Sequence, residues 1–246
     1  TSSGSGSITV AGVLTIDSGD SLNAGSKDWN LAGSGSPFVI TGATFTASTS
    51  SFYFKGTSAT SVPSTTYNHL IFNPSSGTVT YTLGSGTLNV NGDLTTVDLS
   101  TTVNIEANTN DPVVDINGDL TLDNGNWNAS ATAAMNVGGS FLNNLGGSFT
   151  HNNNTLTLDS SDAASITSAS AFYNLTFNNS SGDWTLDSNI TVERILTITA
   201  GTLDGSSRTI TLSGTTGNPF VNGDTFTSST STVSYTGNNA SGNTVV

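Results

Sequence analysis

Apolar residues in this chain come as short alternating pairs, set apart by runs of Gly, Asn, Asp, Ser and Thr. The pattern apolar-x-(Val/Ile)-x-x-x-(Leu/Phe) occurs five times: ITVAGVL at 8–14, LNVNGDL at 88–94, VDINGDL at 114–120, MNVGGSF at 135–141 and ITVERIL at 190–196. Each copy opens with the period-2 alternation of a β-strand, one side chain in and the next out. Related apolar pairs follow at a near-constant distance. Ile8, Trp29, Phe52, Leu70 and Leu88 are 21, 23, 18 and 18 residues apart. Val114, Met135 and Leu156 are 21 and 21 apart, and Ile190, Ile210 and Val233 are 20 and 23 apart.

That step is the length of one coil of a β-solenoid. The pattern predicts an all-β fold, a parallel β-solenoid of about twelve coils at roughly 20 residues per coil, running as one continuous unit over residues 1–246. A single coil buries almost nothing. Stacked coils pair their backbones about 4.8 Å apart and line up Val, Ile, Leu and Phe in interior ladders. Asn91-Gly92-Asp93 and Asn117-Gly118-Asp119 look like corners of such coils. The competing architecture is a β-sandwich, which strands spaced every 8–12 residues would also suit.

Longer repeats favour the solenoid. Residues 8–39 align without gaps to residues 190–221 at an offset of 182 (190 − 8 and 221 − 39). In this reading Trp29 corresponds to the interior position Ile210. After one deletion Phe45-Thr46 meets Phe226-Thr227 and Gly56 meets Gly237, so 1–64 repeats as 183–246. A second repeat relates 67–77, which begins Tyr67-Asn68-His69-Leu70-Ile71-Phe72, to 173–182, which begins Tyr173-Asn174-Leu175-Thr176-Phe177. At the junction between one chain's end and another's start the repeat lacks about one strand. The expectation is either a window from a longer array or head-to-tail stacking, with a terminal segment completing the neighbour's coil.

Composition narrows the function more than the fold. Ser and Thr make up about a third of the 246 residues, charged residues only 9%, and the formal charge is -13. Four Lys plus Arg cannot neutralise a phosphate track, so nucleic acid is not an expected partner. No apolar run reaches membrane-spanning length, and membrane insertion is not expected. With no cysteine there is neither a disulfide framework nor a thiolate metal site.

Candidate chemistry is sparse. Asp115, Asn117 and Asp119 space oxygen ligands at alternate positions, loosely like a calcium loop, and calcium is the one candidate cofactor. The Gly and distal Glu of such a loop are missing, and Asn89, Asn91 and Asp93 repeat the spacing, which favours a structural role. Trp127 and Trp184 are candidates for stacking on glycans. His69 and His151 have no triad pattern around them, the fifteen Asp are dispersed, and only Arg194 and Arg208 could polarise a substrate, so no enzyme is expected. Asn-x-Ser/Thr acceptors stand at Asn128, Asn153, Asn174, Asn178, Asn179, Asn189 and Asn239.

The run from Gly147, GSFTHNNNTLTLDSSDAASITSASAFYNLTFNNSSGDWTLDSNITVERILTITAGTLDG, resembles repeat regions of large bacterial or archaeal surface proteins and adhesins. The resemblance implies an exported β-helical stalk, filament or surface-layer element, and it assigns no ligand and no catalytic residue. The expected function is a structural subunit or segment of an extracellular rod or filament at a microbial cell surface, associating end to end. The alternative is an adhesin or carbohydrate-binding solenoid, with glycans or other surface proteins as partners.

Overall fold

The computed structural model describes residues 6–97 and 101–237. The chain-end expectation at Thr1 and Val246, the Asn239 acceptor and the outer parts of the 1–64 and 183–246 repeats lie outside the described residues. All 28 strands among the described residues belong to one parallel β-solenoid of about 10 turns, with about 22 residues per turn. Every strand-to-strand pairing is parallel, and it joins segments roughly one turn apart in sequence.

The coil has three faces, here A, B and C in chain order. On face A one interior file runs Ile8, Trp29, Phe52, Leu70, Leu94, Leu120, Phe141, Ile166, Leu186. Face B stacks Tyr81, Ile105, Trp127 and Phe149, and face C stacks Leu88, Val114, Met135, Leu156, Leu175, Leu196 and Phe220. Alternation decides what goes where: in Thr78–Leu83 the residues Val79, Tyr81 and Leu83 are buried and the Thr between them are not. Each large side chain buried this way is worth about 1.5–3 kcal/mol.

The coil count falls from twelve to ten for two physical reasons. Leu70 to Leu88 is a step from face A to face C, part of a turn rather than a whole one. Two real turns are also long, 24 residues from Leu70 to Leu94 and 26 from Leu94 to Leu120.

The long repeat does not return to the same face. From Ile8, eight steps up the face A file reach Leu186, and Ile190 then lies on face B, where it pairs with Ile210 and that with Val233. The offset of 182 residues is therefore eight turns plus one face, a rotation of a third of a turn. The neighbouring segments shift in the same sense. Leu14–Ile16 pairs with Phe38–Ile40 on face B, whereas Leu196 to Ile198 pairs with Phe220–Asn222 on face C. The five-fold pattern serves all three corners: A to B at 8–14, B to C at 190–196, and C to A at 88–94, 114–120 and 135–141.

The ungapped alignment also conceals a slip. Buried Trp29 and Leu31 occupy the places of buried Ile210 and Leu212, an offset of 181, while Ile8 and Val10 match Ile190 and Val192 at 182. A strict 182 would set Trp29 against Thr211, an outward residue, and the pleat does not allow it.

Candidate functional site

The two tryptophans singled out for glycan stacking are interior. Trp127 sits on face B between Ile105 and Phe149, and Trp184 on face A packs 5.1 Å from Phe177, with 1% and 0% of their surfaces exposed. Neither ring can meet a sugar, so the adhesin reading loses the residues that motivated it. In their alternating strands both tryptophans fall on the inward register, which makes them core. Trp29 is interior as well, its indole N–H donating to the Ala24 carbonyl at 3.2 Å.

The calcium candidates take up structural positions. Asp115 lies in the face C strand Val113–Ile116, in file with Asn89 below and Asn136 above. Asn117 and Asp119 belong to the C-to-A corner, where Asp119 Oδ1 accepts from the Ser140 N–H at 2.6 Å. Asp93 Oδ1 does the same for the Asp119 N–H at 3.0 Å, and His69 Nδ1 for the Asp93 N–H at 3.0 Å. The Ser165 N–H donates to Ser140 Oγ at 3.1 Å. One corner thus carries a file of side chains, each capping a backbone N–H of the next coil. A charged acceptor strengthens such a bond. Among the described residues no three His, Asp or Glu side chains are grouped to hold a metal ion.

A cluster that sequence reasoning missed lies around the B-to-C corner. His151 stacks on Tyr173 with ring centres 5.6 Å apart, and the Arg194 guanidinium lies 5.7 Å over the same ring. His151 Nδ1 accepts from the Asn153 N–H at 3.0 Å, which leaves Nε2 to donate to Glu193 Oε2 at 3.1 Å. These residues come from three successive coils, so their sequence spacing of 42 between His151 and Glu193 hid them. Tyr173 is covered on both sides, and the arrangement works as a clasp across coils. Beside it an amide ladder runs from Asn152 to Asn128 to Glu106, donor to acceptor, at 2.6 Å and 2.6 Å.

Burial pushes the Tyr67 and Tyr81 phenols up. Burial, with the Asp115 charge second, raises the Asp159 carboxyl.

The ends of the stack differ from its middle. Ser7–Val10, Leu14–Ile16 and Ser21–Asn23 each pair with one strand among the described residues, and so do Phe220–Asn222, Thr225–Thr227 and Thr232–Tyr235, as do Phe38–Ile40 and Thr44–Thr46 inside the stack, so coverage of the apolar side chains is what sets the ends apart. Apolar side chains are only partly buried there: Ile8, Val10, Leu14 and Leu22 at one end, Phe226, Val233 and Tyr235 at the other.

Comparison with family models, with curated proteins and with solved structures finds no match in any of the three.

Proposed function

We propose that this chain is a non-catalytic structural segment of an extracellular rod or filament at a microbial cell surface, and that copies associate end to end through their terminal coils. The observation that carries the reading is that, among the described residues, the first and last strands of the stack each pair on one side and leave apolar residues half-covered. An unpaired edge is a template for another strand, and a head-to-tail contact that leaves both outer edges free propagates into a filament. Ten turns at about 4.8 Å give a rigid spacer about 48 Å long per copy. Abundant Ser and Thr with a formal charge of -13 keep the sides of such a rod hydrated and mutually repelling, which directs association to the ends. The resemblance of the 147–205 run to surface-protein repeats points the same way for location.

Negative-stain electron microscopy of the purified chain across a concentration series tests this. Unbranched fibres one coil wide support it. Monodisperse particles at every concentration, or side-by-side sheets, contradict it.

A further inference from the structure

We propose that Asn178 is the asparagine of the folded chain that accepts a glycan. Its carboxamide Nδ2 takes a sugar from a phosphate-activated donor, delivered by a transferase that reads Asn-x-Ser/Thr. The inference takes from the rod reading only that the chain is exported to where such enzymes act. It uses nothing at either end of the stack, since Phe172–Leu186, which carries the site, is paired both below and above.

Transfer needs a carboxamide free to reach the donor and, two residues on, a hydroxyl the enzyme can grip. Six such acceptors lie among the described residues, and in five of them the coil engages the amide, the hydroxyl or both. Asn128 is locked throughout: Nδ2 donates to Glu106 Oε2 at 2.6 Å, Oδ1 accepts from Asn152 at 2.6 Å, and buried Ser130 donates its hydroxyl to the Pro112 carbonyl at 2.7 Å. Asn174 Nδ2 donates to Thr155 Oγ1 at 3.1 Å. That one bond engages the amide of Asn174 and the hydroxyl that Asn153 would need. Asn179 Nδ2 donates to the Asp159 carbonyl at 2.9 Å, and its Oδ1 accepts from the Ser181 N–H at 3.0 Å. Asn189 Oδ1 accepts from the Thr209 N–H at 2.8 Å, and Thr191 lies inside the Ile190–Asp204 strand.

Asn178 differs on each count. Asn178 and Ser180 are both exposed, and neither side chain is hydrogen-bonded among the described residues. The backbone sets them there. Asn178 pairs with Ala200 and Asp183 with Thr202, so this strand advances five residues where the coil above advances two. The surplus bulges outward at the C-to-A corner, as extra residues in a paired strand do. Asn179 pins the bulge from within, through its bonds to Asp159 and Ser181, and so holds the middle residue of the acceptor while the two reacting groups stay outside. On transfer the bond from Nδ2 to the sugar C1 forms, and the C1–O bond to the donor phosphate breaks with its electron pair going to phosphate. One amide proton passes to a base of the transferase. A glycan at this corner would coat the side of the rod.

The test offers the folded 246-residue chain to a soluble Asn-x-Ser/Thr glycosyltransferase with uridine diphosphate glucose as donor, and maps the added hexose by peptide mass spectrometry. Asn178 should reach about tenfold or more the occupancy of Asn128, Asn174, Asn179 or Asn189, each of which must first break hydrogen bonds to react. Ser180→Ala and Asn178→Gln should each remove the modification and Asn179→Gln should keep it, with thermal unfolding showing that all three variants fold. Short synthetic peptides spanning the same acceptors, freed from the coil, should differ far less among themselves. No transfer to Asn178 in the folded chain, or equal occupancy at Asn128, overturns the inference. Fibres formed by a chain that takes no sugar would sink it while leaving the rod reading intact. Sugar at Asn178 on monodisperse particles would do the reverse.

Discussion

Two corners of this solenoid turn the chain by different means. At the C-to-A corner, Gly92, Gly118 and Gly139 stack directly, and a Cβ on Gly118 would stand 2.6 Å from the Gly92 carbonyl carbon. The residue after each glycine, Asp93, Asp119 or Ser140, then caps a backbone N–H of the next coil. At the B-to-C corner, Ile190–Asp204 runs through the bend as one strand of 15 residues. It advances three residues, Val192 to Ile195, where the strand beneath advances two, Phe172 to Asn174. This bulge turns the exposed Glu193 and Arg194 outward, with no glycine required. At the first corner glycines stack on glycines; at the second, side chains bridge from outside, and a glycine enters one coil up, where Gly214 approaches the Arg194 carbonyl. One seven-residue pattern supports both, because it fixes only the inward residues on either side of the bend.

The contrast is sharpest in substitution. Gly118→Val should cost about 3 kcal/mol in urea unfolding, since coil spacing cannot relax without breaking ladders on both sides. Gly12 holds the same place in the pattern on the first coil, yet a Cβ there meets nothing within 4 Å. Gly12→Ala should therefore stay within about 0.5 kcal/mol. Equal losses at the two glycines would mean that stacking is not what demands them.

Next in size is the capping file. Asp119→Ala leaves the Ser140 N–H without its acceptor and should cost about 2 kcal/mol, while Asp119→Asn, which keeps the oxygen, should retain most of it. If both lose the same amount, the carboxylate charge and not the hydrogen bond matters. At the B-to-C corner, Arg194→Gly should cost under about 1 kcal/mol, because it removes a half-exposed contact with Tyr173 and adds flexibility where the strand tolerates it.

The smallest effect is pH-linked. Asp159 holds its proton more tightly in the folded chain than in the unfolded one, through burial and then the charge of Asp115. Its ionisation opposes folding above its raised pKa, and that cost disappears as pH falls through it. Asp159→Asn should stabilise the protein at pH 7 by less than about 1 kcal/mol, allowing for solvent screening, with no gain once acid has protonated the wild-type carboxyl. A gain that persists in strong acid would assign the effect to packing.

The coil step was legible in the sequence because interior positions must repeat at turn length. Ile8 to Trp29 and Val114 to Met135 are genuine one-turn pairs. The face was not legible, since the same corner pattern serves all three bends and Leu70 to Leu88 looks like a turn when it is less than one. The third-of-a-turn rotation of the long repeat followed only from strand register. Trp127 and Trp184 were misread because composition marks an aromatic residue without giving its side of the pleat. The His151 clasp was invisible because its partners lie one and two coils away.

Cryo-electron microscopy of the 246-residue chain tests the central claim most directly. Particles elongated along an axis with a layer spacing of about 4.8 Å, and about 10 layers per copy, are the expected result. Two antiparallel sheets packed face to face, with strands along the long axis, would contradict the account from its first ladder onward.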